Sequence, residues 1–124
     1  MKTININVSS KNYDIYIGKS ILKNAGEIIT NLGFNGKLLI VTDDNVAPLY
    51  LEVVKKSIEN AGIKVYDVIL SNGEENKNMD SVMQIYEVAA KNNFNRKDMF
   101  VALGGGVIGD MTGFAAACYQ RGVN

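Results

Sequence analysis

The 124 residues include no histidine and no tryptophan, and only one cysteine and one proline. Without imidazole, Ser-His and Cys-His nucleophile pairs, histidine-ligated zinc and imidazole general bases are excluded from whatever these residues do by themselves. Cys118, being alone, cannot form an intrachain disulfide, which argues against a small secreted scaffold and for a reducing, cytoplasmic setting. Net charge is missing too: thirteen basic residues balance thirteen acidic ones, so the basic stripe of a nucleic-acid binder is absent and no nucleic-acid partner is expected. No stretch reaches the roughly 18 apolar residues of a membrane span, and the opening residues Met1 to Val8 alternate in polarity where a signal peptide would run apolar. No membrane partner is expected. What remains is an ordinary globular composition on a length that suits one domain, so disorder and coiled coils are poor descriptions.

Periodicity supplies the organisation. Met1 to Val8 and Tyr13 to Ile17 read as two short antiparallel strands, the second stopping at Gly18. From Ser20, a candidate N-cap, Ile21, Leu22, Ala25, Ile28, Ile29 and Leu32 recur at helical spacing up to Gly33, a candidate C-cap. Leu38 to Val41 is a continuous apolar run, as a strand buried on both faces requires, and it gives way to Thr42-Asp43-Asp44-Asn45. Leu51, Val54 and Ile58 predict a helix closed by Ala61-Gly62. Lys64 to Leu70 predicts a strand, Ser71 to Lys77 a polar turn, and Val82, Ile85, Tyr86 and Ala89 a helix ending near Asn92-Asn93. Met99 to Leu103 is again apolar and runs into Gly104-Gly105-Gly106, with a helix of small residues from Val107 to Cys118. Strands alternating with helices predict an α/β domain, a mostly parallel, doubly wound sheet with right-handed crossovers and an antiparallel N-terminal strand pair. The rhythm calls for another strand after Asn124, so a piece of a longer protein is expected, with an unpaired sheet edge that favours self-association.

In such sheets ligands bind outside the carboxyl ends of the strands, and three segments fall there. Asp43 can accept hydrogen bonds from a ribose diol, with Asn45 beside it; taken alone, the favoured reading is that Asp43 closes a turn and Asn45 caps the next helix. Asn72-Gly73-Glu74-Glu75-Asn76-Lys77 brings a lysine to the mouth of the crevice, where it can meet a phosphate or sugar hydroxyl with Glu74 fixing its position. The alternative is a solvated charged loop with acids near a helix N-terminus. Gly104-Gly105-Gly106-Val107-Ile108-Gly109-Asp110 has the spacing G-x-G-x-x-G after a strand and before a helix, which lets backbone approach a pyrophosphate and aims free N–H groups at it. It follows a late strand and has no acid about 20 residues downstream, so the usual dinucleotide fingerprint does not fit, and Asp110 would repel phosphate if it faced it. A tight, closely packed turn is the competing explanation. Three loops gathering on one rim make a dinucleotide site the economical reading, which requires Asp43, Lys77 and Gly106 to share one side of the molecule.

The stretch from Gly104 to Gly122, GGGVIGDMTGFAAACYQRG, resembles the signature of the 3-dehydroquinate synthase family, and Thr42-Asp43 before Asn45-Val46, Gly73-Glu74 with Lys77, and Arg96 with Asp98 fall in the family's order. The resemblance spans nearly the whole chain and about a third of a full-length member. It implies that residues 1–124 are a Rossmann-like NAD-binding N-terminal domain. A helical C-terminal domain outside the chain would hold a divalent metal, zinc or cobalt, on a glutamate and two histidines. It implies conversion of 3-deoxy-D-arabino-heptulosonate 7-phosphate to 3-dehydroquinate and phosphate in the shikimate pathway, by transient oxidation with NAD, phosphate loss, re-reduction and ring closure. It further implies that Asp43 and Asn45 meet the adenosine side of NAD, that Asn72, Gly73, Glu74, Glu75, Asn76 and Lys77 line its site, and that Gly105, Gly106, Val107, Ile108, Gly109 and Asp110 hold the pyrophosphate and nearby groups. Where this chain has Asn72 the family more often has Asp. Arg121 matches an arginine that reaches the substrate's anionic group, and a homodimer and a small phosphorylated substrate are the expected partners. The rivals are a related sugar phosphate cyclase, a metal-dependent alcohol or glycerol dehydrogenase, and a stand-alone nucleotide-binding module.

Overall fold

A computed structural model of the chain describes residues 2–8, 11–17, 25–31, 33–95 and 97–119. Among the described residues the strands are β1 (Lys2–Val8), β2 (Lys11–Ile17), β3 (Lys37–Asp43), β4 (Lys64–Leu70) and β5 (Met99–Gly104). The α-helices described with them are α1 (Ala25–Asn31), α2 (Glu52–Asn60), α3 (Met79–Lys91) and α4 (Gly106–Cys118). The strands form one sheet in the order β2-β1-β5-β3-β4. β3 lies parallel to both β4 and β5, while β1 pairs antiparallel with β5 and with β2. The flank of β5 away from β3 is thus taken by β1, and the outer strands of the sheet are β2 and β4.

The apolar runs at Leu38 to Val41 and Met99 to Leu103 are continuous because successive side chains of a strand face opposite sides, and both sides are covered. Leu38 and Ile40 join Met99, Val101 and Leu103 against Ala25 and Ile29 of α1 and Val54 and Ile58 of α2. Leu39, Val41, Phe100 and Ala102 face the other way, against Val82, Ile85 and Ala89 of α3 and Met111, Ala115 and Ala116 of α4. The predicted α/β layering is what these two cores make, with helices on both faces of a mixed sheet whose parallel part is β4-β3-β5.

The first helix approaches the second closely at Gly26, where a Cβ would stand 2.1 Å from the Ser57 carbonyl oxygen. The Gly26 amide donates to Ser57 Oγ at 2.9 Å. Ser20, Ile21, Leu22 and Leu32 lie outside the described residues; Gly33, with φ of +84°, does turn the chain out of α1. Before α2 the backbone makes a π-helical turn, Ala47–Leu51, with Pro48 in its first turn. The competing expectation that Asn45 caps this helix is not met: no side chain caps it, and the Asp43 carboxylate accepts from the amides of Asn45 and Val46 at 3.0 and 2.8 Å. The third helix is capped by Asn78, whose side chain accepts from the Ser81 amide. At the opposite end of the sheet Asp98 is buried and accepts from the amides of Lys37 and Asn95, each at 2.8 Å. It therefore ties the entries of β3 and β5 together, far from the crevice.

The path from β3 through α2 leads to β4 on one side, and the path from β4 through α3 returns across β3 to β5 on the other. Connections of opposite direction use opposite faces, so the strand order reverses at the β3/β5 junction. Folds of this kind take ligands outside the carboxyl ends of the strands at such a junction.

Candidate functional site

Parallel registration brings the three segments to one edge. Asp43 stands opposite Leu70 and Thr42 opposite Leu103, so β3, β4 and β5 end side by side. Strand β3 runs two residues beyond its apolar stretch. Thr42 is fully buried there and donates from Oγ1 to the Leu103 carbonyl at 2.7 Å, which pins the end of β3 to the end of β5 just before the glycines.

Side chains then join the loops. The Asp44 amide donates to the Leu70 carbonyl at 3.0 Å, and the Asp44 carboxylate accepts from the backbone amide of Asn72 at 3.1 Å and from the Asn72 side-chain amide. These bonds hold the Asp44 carboxyl below its usual range, the Asn72 side chain being the largest cause. The loop after β4 winds through a short 3₁₀ turn, Glu74–Asn76, entered at Gly73 with φ of +107°. The positive φ is what calls for glycine here, since the nearest atoms a Cβ would meet belong to the exposed Glu75 carboxylate, which can swing aside. Asn76 is half-buried and internal to the loop: its side chain donates to the Asn72 carbonyl at 2.8 Å, and its own carbonyl accepts from Ser81 Oγ at 2.7 Å.

Lys77 closes the link to the third segment. Its ammonium lies 2.8 Å from the Asp110 carboxylate and 4.0 Å from Glu74. Asp110, rather than Glu74, therefore fixes the lysine, and the pairing raises the Lys77 pKa. Asp110 also lies beyond the first turn of α4, which contains no acid, so the feared repulsion at the helix start is relieved by position and by pairing.

The start of α4 leaves backbone amides without a side-chain cap. Gly105 occupies the N-cap position with no side-chain cap, and the Gly109 amide is the first to bond back, to the Gly105 carbonyl at 3.0 Å. The amides of Gly106, Val107 and Ile108 precede it, in the positions that have no intrahelical partner. Gly105 and Gly106 are exposed, and a Cβ on either would meet nothing within 4 Å. Gly104 differs: with φ of +157° it sits against Ile108, whose side chain is buried in the core, so Ile108 presents only its backbone to the crevice. Beside this helix start, Lys77, Asn78, Met79, Val82, Asp110, Met111 and Phe114 enclose a cleft of about 320 Å³. Asp43, Asn45, Asn72, Gly73, Glu74, Glu75, Asn76, Lys77 and the stretch Gly105 to Asp110 therefore share one rim. Arg121 lies outside the described residues, as does Arg96. Asp44 and Thr42 tie the rim together through partners 28 and 61 residues away, which no local sequence pattern shows.

No helix of the described residues is long and apolar enough to cross a membrane. Among the described residues no group of three or more His, Cys, Asp or Glu side chains is arranged to hold a metal ion.

Residues 67–124 match the family model described as 3-dehydroquinate synthase N-terminal. Over its whole length the chain is 51% identical to the 3-dehydroquinate synthase of Hydrogenovibrio crunogenus and 46% identical to that of Ruthia magnifica, covering 34% of each. That of Teredinibacter turnerae is 43% identical over the same span. The chain thus spans about a third of the length of these curated relatives. Among solved structures, a 2-deoxy-scyllo-inosose synthase complexed with carbaglucose-6-phosphate, NAD+ and Co2+ superposes with a TM-score of 0.76 at 24% identity, over 98% of this chain and 33% of that one. A 2-epi-5-epi-valiolone synthase from Streptomyces hygroscopicus, with NAD+ and Zn2+ bound, gives 0.68 at 23% identity, over 90% and 30%. At such identities these structures establish the fold alone. The sequence relationship is to the 3-dehydroquinate synthases, whose N-terminal region this chain matches.

Proposed function

We propose that residues 1–124 are the NAD-binding N-terminal domain of a 3-dehydroquinate synthase, working with a metal-bearing helical domain in the whole enzyme. The observation that carries this reading is the joining of three loops at the carboxyl edge of β3, β4 and β5, beside an uncapped glycine helix start. Residues present there fit a dinucleotide: the open space over Gly105 and Gly106 admits a pyrophosphate against the amides of Gly106, Val107 and Ile108. Lys77 supplies the cation, and Asp110 positions it through the 2.8 Å ion pair. Asp43 keeps one oxygen on the Asn45 and Val46 amides, and its second oxygen is the candidate acceptor for a ribose hydroxyl. Bound NAD would supply a reversible hydride acceptor.

On this reading the whole enzyme converts 3-deoxy-D-arabino-heptulosonate 7-phosphate to 3-dehydroquinate and phosphate, as a cytoplasmic homodimer, with Arg121 reaching an anionic group of the substrate. Titration of NAD into the full-length protein tests the site: saturable binding is expected, lost when Gly106→Val fills the cradle. Turnover of the keto acid phosphate with release of inorganic phosphate tests the activity. Oxidation of glycerol in its place would overturn the assignment in favour of a metal-dependent dehydrogenase.

A further inference from the structure

The rim contains a contact that the relatives' names do not assign. Asp44 and Asn72 are both exposed, yet one Asp44 oxygen accepts from the backbone and the side chain of Asn72, and the Asp44 amide is itself bonded to the Leu70 carbonyl. A continuous run of bonds leads onward, from the Asn72 carbonyl to the Asn76 side chain and from the Asn76 carbonyl to Ser81 at the start of α3. Lys77 lies between Asn76 and the Asn78 cap, and reaches across to Asp110 on α4. The position of Lys77 therefore depends on a loop tethered at one end by α3 and at the other by Asp44.

We propose that Asp44 and Asn72 form a latch that sets the distance between the loop after β3 and the loop after β4, and so positions Lys77 for a ligand phosphate. The inference rests on the nucleotide site proposed above; neither latch residue is required to touch the nucleotide. Its chemistry is specific in type. A carboxylate needs a donor opposite it, and an amide supplies one, whereas a second carboxylate at position 72 would repel Asp44 at neutral pH. Reversing the pair, with the amide at 44 and the carboxylate at 72, restores one donor and one acceptor.

The test uses the full-length protein with Asn72→Asp, and with the double change Asp44→Asn, Asn72→Asp. Two measurements are made: affinity for NAD by calorimetry, and amide hydrogen exchange of residues 71–77 without nucleotide. Asn72→Asp is expected to speed exchange in the loop and to weaken NAD binding roughly three- to tenfold, an exposed charged hydrogen bond being worth no more. The double change is expected to return both toward the parent values, which a merely local role of Asn72 would not produce. Unchanged exchange in Asn72→Asp, or a double variant as defective as the single one, overturns the latch. If NAD fails to bind the parent protein while exchange responds as expected, the nucleotide site falls and the latch stands.

Discussion

Lys77 illustrates how a residue's role depends on partners far along the chain. Read locally, it has Glu74 three positions before it; in space, the closer carboxylate is Asp110, 33 residues away. The pairing raises its pKa, so the ammonium stays charged through and above the ordinary lysine value of about 10.4. Its contribution is therefore fully present below that value and is lost only as pH rises through the raised one. NAD affinity is accordingly expected to keep its Lys77 component unchanged between about pH 7 and 9, where lysines remain charged. Lys77→Met is expected to weaken NAD binding roughly tenfold while leaving the thermal midpoint nearly unchanged, because surface ion pairs add little to stability. A large drop in midpoint with unaltered affinity would mean that the pair serves the fold and not the ligand.

Among the elements, α1 and α2 show what periodicity conveys and what it omits. The spacing of Ala25 and Ile29, and of Val54 and Ile58, gives the buried faces, and all four are buried. It does not say that the two helices touch backbone to side chain at Gly26. A methyl group there would lie 2.1 Å from the Ser57 carbonyl oxygen, and backbone cannot yield as a side-chain tip does. Gly26→Ala should therefore destabilise the domain by about 1–3 kcal/mol, although alanine is the better helix former. Urea unfolding with an unchanged slope and a lowered midpoint is the expected record; a midpoint at or above the parent's would show that the helices separate without cost. The π-helical turn before α2 escaped the sequence because Val54 and Ile58 mark only the α-helix that follows it, and Asp43, not Asn45, closes the turn that precedes it.

Across the whole molecule, one sheet carries two cores. Leu39 and Ile40 are adjacent in sequence, fully buried, and face opposite layers of helices. Because both layers depend on β3, Leu39→Ala and Ile40→Ala should each lower stability by about 2–5 kcal/mol, and each should shift a single cooperative transition. Two separate transitions in either variant would mean that the layers unfold independently. The alternation of continuous apolar strands with amphipathic helices was enough to determine the layered α/β class, because burial on both faces leaves no polar phase in a strand. The glycine run marked where a helix begins, at Gly106, with open space over Gly105 and Gly106. Which loops meet was decided in three dimensions. Thr42 with Leu103, Asp44 with Asn72 and Lys77 with Asp110 are separated by 61, 28 and 33 residues, and only the parallel register of β3 with its two neighbours brings them into bonding distance. Local sequence sets which face a residue shows, whereas the choice of partner follows from the order of strands.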